Sequence, residues 1–420
     1  MNSLKKIENR VNTIDNVSSF IIMGDPGCDG LGAEIMTTFS KALSLEDSDM
    51  KIILGDLVPF GCELFYEQIS EIINKVSPTP VYTLCGNHDT EHYTRYFGLR
   101  NYCLVNDDLL IVMLDDSKRA FEAETLMFLR ETLKQYHREN ILVTFHIPPP
   151  NNISPNSIKR DEWVKLRAIL DPYKHAIKYV LSGHVHSYFR DCIDGYEFIV
   201  SAGAGARLEF FGRLPDKKNS FHHVLRFYFD RDNELRYDYL SLADVSYEQE
   251  IKNNETLRNN LLKSFMNEAA ANIRYQLFAE DAFEKGYLGM EKLFRVLARS
   301  AFYHARSYFN ILNEMLDIDF NLKRSNYLES QDLKKLTGEY MPYAIDTHSP
   351  LAKYAFSQNL EAKNNYSDLI PEAIKAYEEG GDIELYTYFV CTSCGNTGAL
   401  KSKLERCPIC GAPLDKILTM

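Results

Sequence analysis

The chain has 420 residues, length for two or three domains, with 45% hydrophobic and 25% charged residues, an ordinary soluble composition. Its net charge of −12 disfavours a broad nucleic-acid-binding face and leaves only a local basic cleft open for such a partner. No apolar run approaches a membrane span, and the start MNSLKKIENR lacks the apolar stretch of a secretory signal, so no membrane partner and a cytoplasmic location are expected.

In chain order, FIIMGD, KIILGD, VYTLCGN, LLIVML, ILVTFH, YVLSGH and FIVSAGAG read as buried strands. Helix-like segments lie between them at 62–75, 122–136 and 161–170. HHVLRFYFDRDNELRYDYLSL reads as a strand pair turning near Asp232-Asn233. From about 248 the apolar spacing becomes helical, over 250–285 and 288–316, then near 330–342 and 350–379. Gly380-Gly381 ends this region, and a cysteine-bearing tail follows. The predicted division is 1–245, 246–384 and 385–420.

Several of the first strands stop at a polar residue, where an α/β sheet places its chemistry. These residues are Asp25 in GDPG, Asp56 in GDLVPFG, Asn87 and His88 in GNHD, His146 in FHIPP, and His184 and His186 in GHVH. Any one of these motifs alone is a common turn. Their fixed order behind apolar strands points to a metal centre. Carboxylates mixed with imidazoles suit Mn, Fe, Zn or Ni. A carboxylate such as Asp56 can bridge two cations, with a bridging hydroxide attacking phosphorus in line.

The order GD, GD, GNHD, H, GHxH resembles the calcineurin-like metallophosphoesterases, with SAGAGAR following in that family's manner. The resemblance covers about 245 residues and implies a four-layer αββα sandwich. It implies one metal held by Asp25, Asp56 and His186, and a second held by Asp56, Asn87, His146 and His184. His88 would stabilise charge or protonate the leaving oxygen. Asp89, His92, His222 and His223 have no motif role and are expected at the surface or in support of the site. Two positions depart from the family. Gly27 stands where DxH has a histidine, and Pro59 stands where the purple acid phosphatase branch has a tyrosine. Asp29 and, as a weaker candidate, Cys28 are close enough in sequence to substitute; otherwise the first site is weak or filled only when substrate adds oxygens, so the expectation is one or two divalent ions.

Near the C-terminus, Cys391, Cys394, Cys407 and Cys410 form two CxxC knuckles, a four-sulfur site for zinc or a single iron. Cys28, Cys62, Cys85, Cys103 and Cys192 are scattered and expected to be buried thiols. FVCTSCG and RCPICGAP resemble the rubredoxin-type ends of rubrerythrins. NEAAANIRYQLFAEDAFEKGY and LFRVLARSAFYHARSYF are similar to the first rubrerythrin helix pair, which implies a ferritin-like helical domain. Glu268 and His304 match family ligands, but Ala301, Ala362 and Asn365 occupy positions where glutamates belong. The expectation is a helical scaffold without oxidase chemistry, with Glu268 and His304 a buried polar pair or a remnant. The resemblance also implies a homodimer through this domain.

The leading functional expectation is metal-dependent hydrolysis of a phosphomonoester or phosphodiester, a phosphate ester being the partner. The alternatives are a redox or peroxide-handling protein and a nucleotide-binding sensor without turnover. No loop identifies the substrate.

Overall fold

The computed structural model describes residues 2–15, 17–136, 138–209, 220–245, 247, 249–312, 318–384, 387–400 and 404–420. By internal packing the chain divides into two compact units, Met1–Glu314 and Met315–Met420. The expected boundaries at 246 and 385, and the end of the expected helix at 313–316, lie outside the described residues.

In the first unit the strands in chain order are β1 (Val11–Thr13), β2 (Ser19–Met23), β3 (Met50–Ile53), β4 (Val81–Thr83), β5 (Tyr102–Val105), β6 (Leu109–Met113), β7 (Asn140–Thr144), β8 (Ile177–Ser182), β9 (Tyr188–Ile193), β10 (Tyr196–Ser201), β11 (His223–Phe229) and β12 (Leu235–Ser241). They form a five-stranded sheet, β12-β11-β2-β3-β4, and a seven-stranded sheet, β1-β5-β6-β7-β8-β10-β9. The expected hairpin is the antiparallel β11–β12 pair, turned at Asn233 with φ 59°. β2, β3 and β4 are mutually parallel, as are β6, β7 and β8. Each parallel set therefore delivers its carboxyl ends to one edge of its sheet.

The layer order follows from side-chain alternation. On β2, Phe20 and Ile22 join the core between the sheets, with Leu142, Leu181 and Leu225. Ile21 and Met23 point the other way, onto Phe39 of helix α1 (Ala33–Ser44) and Ile69 of helix α2 (Glu63–Val76). After the short α3 (Tyr93–Phe97), helices α4 (Ala123–Tyr136) and α5 (Arg160–Leu170) cover the outer face of the larger sheet through Phe128, Leu129 and Trp163. This is the expected αββα sandwich. The strands β1, β5 and β9 and helix α1 extend the elements read from sequence.

After the one-turn α6 (Gln249–Lys252), helices α7 (Glu255–Glu284) and α8 (Leu288–Ile311) make a hairpin in the same unit. α8 lies against α1, where Arg306 pairs with Glu34. Asn272 Nδ2 donates to the Ala298 carbonyl across the hairpin at 2.7 Å. Ala298, Ala301 and Ala305 are buried along α8, small side chains that let the helices approach closely. Glu268 and His304 do meet, at 3.4 Å, but their side chains are 33% and 60% exposed. The expected buried pair is thus a surface pair, because alanines take the contact face.

In the second unit, α9 (Ile318–Lys335) continues through a π-helical turn, Leu336–Tyr340, into α10 (Met341–Asp346). The expected helix at 350–379 is two, α11 (Pro350–Tyr366) and α12 (Leu369–Glu378). The tail is a three-stranded sheet, β14 (Thr397–Ala399) against β13 (Tyr388–Cys391) against β15 (Ile417–Thr419). Among the scattered cysteines, Cys28, Cys85 and Cys103 are buried, Cys62 is half-buried and Cys192 is exposed, on an edge strand. No described helix is long and apolar enough to cross a membrane.

The inter-sheet core carries the sandwich. Phe227 is fully buried and stacks on Phe20 at 5.2 Å. Phe227→Ala is expected to cost about 3–5 kcal/mol, read as a lower denaturation midpoint of the first unit.

Candidate metal centre

The residues singled out at the strand ends converge on one point between the two sheets. Asp25 follows β2, Asp56 follows β3, Asn87 follows β4, His146 follows β7, and His184 and His186 follow β8. Asp25, Asp56 and His184 all hold positive φ, at 58°, 52° and 67°. Such conformations cost about 1–3 kcal/mol each and persist where surrounding structure imposes them. Here the chain turns sharply off each strand to bring its ligand into the cleft. Gly86 is required by the same crowding, since a Cβ there would lie 2.1 Å from Asp56 Oδ1.

Two groups of ligand atoms result. Asp56, His146 and His184 form one, with ligand atoms within 4.8 Å of one another. His146 Nε2 lies 3.2 Å from Asp56 Oδ2 and 3.2 Å from Asn87 Oδ1. Its Nδ1 hydrogen goes to the Leu54 carbonyl at 2.7 Å, so Nε2 is the nitrogen left for an ion, which would displace the proton held there. His184 has the complementary arrangement. Its Nε2 meets Asn156 Oδ1 at 2.9 Å, and the Arg119 guanidinium bonds that same oxygen at 3.2 Å. His184 Nδ1 is buried and has no hydrogen-bond partner among the described residues. An orphaned buried nitrogen is costly unless something binds it, and His184 shares a group of potential ligand atoms with Asp56 and His146. The residues present therefore fit a cation here.

The second group is Asp25, Cys28 and His186. Asp25 accepts the His184 amide at both oxygens, at 3.1 and 2.9 Å, and His186 Nε2 stands 3.6 Å from Asp25 Oδ1. Asp56 Oδ1 accepts the His88 amide at 3.0 Å. His88 Nδ1 donates to the Pro59 carbonyl at 2.7 Å, leaving Nε2 aimed back at Asp56 Oδ2, 3.9 Å away. Pro59 therefore serves through its carbonyl.

The charges respond strongly to one another. Burial opposes ionisation of Asp56, yet His146 and the His88 amide hold its carboxyl down at about 2. Burial would discharge His146, but Asp56 beside it holds the ring up at about 10. Burial, then the neighbouring His146, push His184 down to about 3. Burial opposes the charge on His186, while its bond to Asp25 raises it to about 9. A cleft that retains a proton on His146 is one that attracts positive charge.

Motif reading left several supporting residues without a role. Asp89 is fully buried and accepts the amides of Gly86, Leu57 and Val58, which ties the GNHD turn to the GDLV turn. Burial and the nearby Asp56 raise its carboxyl to about 7. Asp116 accepts the amides of His146 and Ile147, and burial raises it to about 7 also. Asn156 and Arg119, the latter at φ 62°, orient His184. Of the other residues without a motif role, His223 is buried against Ser201, His222 is part-buried on the Gly203 carbonyl, and His92 lies near Glu63.

The tail holds a separate group. Cys391 and Cys410 sulfurs are 3.7 Å apart and those of Cys394 and Cys407 are 3.6 Å apart. A tetrahedral ion with about 2.3 Å bonds to sulfur requires an edge of about 3.8 Å. The Gly395 amide donates to the Cys391 carbonyl and the Gly411 amide to the Cys407 carbonyl, so the two knuckles repeat one turn. Burial opposes the Cys407 thiolate, but the Cys410 and Ile409 amides pull the thiol down to about 6. All four cysteines fit one ion. Among the described residues, the helices hold no further group of this kind.

Residues 18–188 match the calcineurin-like phosphoesterase family, and residues 259–384 match the rubrerythrin family. Rubrerythrin-2 of Clostridium acetobutylicum is 28% identical over 170 residues, 37% of this chain and 92% of that protein. The rubrerythrin of Clostridium perfringens is 26% identical over 174 residues, 37% of this chain and 89% of that one. Among solved structures, a purple acid phosphatase from yellow lupin (Lupinus luteus) seeds aligns with a TM-score of 0.47 and 15% identity, over 56% of this chain and 53% of that one. A dimetal phosphatase from Danio rerio aligns with a TM-score of 0.41 and 12% identity, over 54% of this chain and 97% of that one. The chain thus carries a calcineurin-like phosphoesterase domain followed by a rubrerythrin domain and a four-cysteine cluster.

Removing the partner that orients His184 tests the centre without touching a ligand. Asn156→Ala is expected to weaken metal binding about 10–100-fold in a competitive chelator titration.

Proposed function

We propose that the N-terminal domain, residues 1–245, hydrolyses phosphomonoesters or phosphodiesters with two divalent cations in the cleft. One would be held by Asp25, Asp56 and His186, the other by Asp56, Asn87, His146 and His184. The observation that supports this most is His184 Nδ1, a buried nitrogen without a partner among the described residues, on a ring that shares a group of potential ligand atoms with Asp56 and His146. When bound, such cations supply Lewis acidity toward phosphoryl oxygens and bring water into its nucleophilic range near neutral pH.

The chain's own residues do the rest. Asp56 belongs to the His146 and His184 group, one oxygen anchored by the His88 amide and the other turned to His146, and in this reading it also serves the neighbouring ion. His88 is fixed by the Pro59 carbonyl, so a proton carried at Nε2 is aimed into the cleft, toward a departing oxygen. Without cations to balance them, Asp25, Asp29 and Asp56 would repel a phosphate anion from the cleft. Hydrolysis is therefore strictly metal-dependent in this reading.

Residues 246–384 are proposed as a scaffold without oxidase chemistry, since Ala301 and Ala362 are buried where ligating glutamates belong. A second copy of the chain is the proposed partner of the α7–α8 hairpin, whose Met266, Ile273, Leu277 and Val296 are more than half exposed. Residues 385–420 are proposed to hold zinc or iron.

With an aryl phosphate or diester as reporter, chelation is expected to abolish turnover and added Mn, Fe or Zn to restore it. His88→Ala is expected to lower kcat about 10²–10⁴-fold with metal content unchanged. Asp56→Asn is expected to lose both metal and turnover. Full activity in the Asp56→Asn protein would overturn the proposal.

A further inference from the structure

The fold leaves one ligand position of the first site to be filled, and excludes most of the residues that could fill it. Gly27 cannot be exchanged for a side chain, because a Cβ there would lie 1.9 Å from the Leu57 carbonyl oxygen. That carbonyl belongs to the turn just after Asp56, and the Gly27 amide is itself bonded to the Asp56 carbonyl at 3.1 Å. Pro59 has no ligating side chain. Asp29 is drawn away, its Oδ2 accepting the Arg207 amide at 2.6 Å.

Cys28 remains, and its thiol faces the site. Its sulfur stands 3.1 Å from His186 Nε2, and it is buried. The ligand atoms of Asp25, Cys28 and His186 all lie within 4.8 Å of one another. His186 Nδ1 donates to the Arg207 carbonyl at 2.9 Å, so Nε2 is the nitrogen presented to the sulfur and Asp25, and a bound ion would take the place of its proton. Arg207 thus acts twice through its backbone. Its amide removes Asp29 from the site and its carbonyl turns His186 toward Cys28.

We propose that Cys28 is a thiolate ligand of the first metal site, together with Asp25, His186 and the shared carboxylate of Asp56. This rests on the metal-dependent reading above and adds a sulfur to it. On binding, the Cys28 thiol gives its proton to solvent and its sulfur lone pair to the ion, and no electrons are transferred. A thiolate with an imidazole favours zinc, iron or cobalt over magnesium or calcium, while the neighbouring site, which has no sulfur, tolerates manganese. The two positions therefore differ in metal preference.

The test uses the full chain loaded with cobalt(II), reading metal content and sulfur-to-cobalt charge-transfer absorption, with circular dichroism to confirm folding. The tail cysteines contribute a constant share of the total sulfur-to-cobalt band in every variant. Cys28→Ser is expected to lose part of that band and about one equivalent of tightly held cobalt. Cys28→Asp is expected to recover the equivalent but not the band. If Cys28→Ser keeps both while Asp56→Asn loses cobalt, the centre exists and the thiolate assignment is wrong. If neither variant loses cobalt, the metal centre itself is refuted, and this inference with it.

Discussion

The structure turns on the Asp56 carboxylate and the company it keeps. Asp25 and Asp56 are both essentially inaccessible to solvent, at the point where two sheets end. Burying an ion costs several kcal/mol unless it is paired and its oxygens are bonded. Asp56 is satisfied by the His88 amide on one oxygen and by His146 on the other, and Asp25 by the His184 amide. The ring of His146 is in turn anchored to Leu54 on the opposite sheet. Each sheet therefore holds part of the other's charge. The cross-sheet core of Phe20, Leu142, Leu181 and Phe227 fixes the spacing at which those bonds can form.

The motifs were legible because each follows a short apolar strand, and a polar residue at such an end has nowhere to go but the sheet edge. β9 did not announce itself because YFRDCI mixes charges into an edge strand. What spacing could not carry was direction. Asp29 and Cys28 are adjacent, and only the Arg207 peptide, 178 residues later, decides which of them faces the metal site. Asp89 illustrates the same limit. It reads as the end of a turn, yet bonds amides in the GDLV segment 31 and 32 residues earlier. Asn156 and Arg119 sit on loops, and their value lies wholly in meeting at His184.

In the rubrerythrin domain, positions where the sequence resemblance places glutamates are put to other uses. Alanines at Ala301 and Ala362 are buried and serve close helix packing. Asn365, on α11, donates instead to Asn396 Oδ1 at 2.9 Å. Asn396 is fully buried, and its Nδ2 reaches the Cys407 sulfur at 3.9 Å. A position that matched a glutamate in sequence thus supports the four-cysteine knuckle.

The central claim is that two cations share Asp56. Crystals of metal-loaded protein, measured on both sides of the absorption edge of the bound metal, test it most directly. The account predicts two anomalous peaks about 3.5–4 Å apart, one among Asp25, Cys28, Asp56 and His186 and one among Asp56, Asn87, His146 and His184. Density for metal only in the four-cysteine tail, with the Asp56 cleft empty at saturating metal, would contradict it.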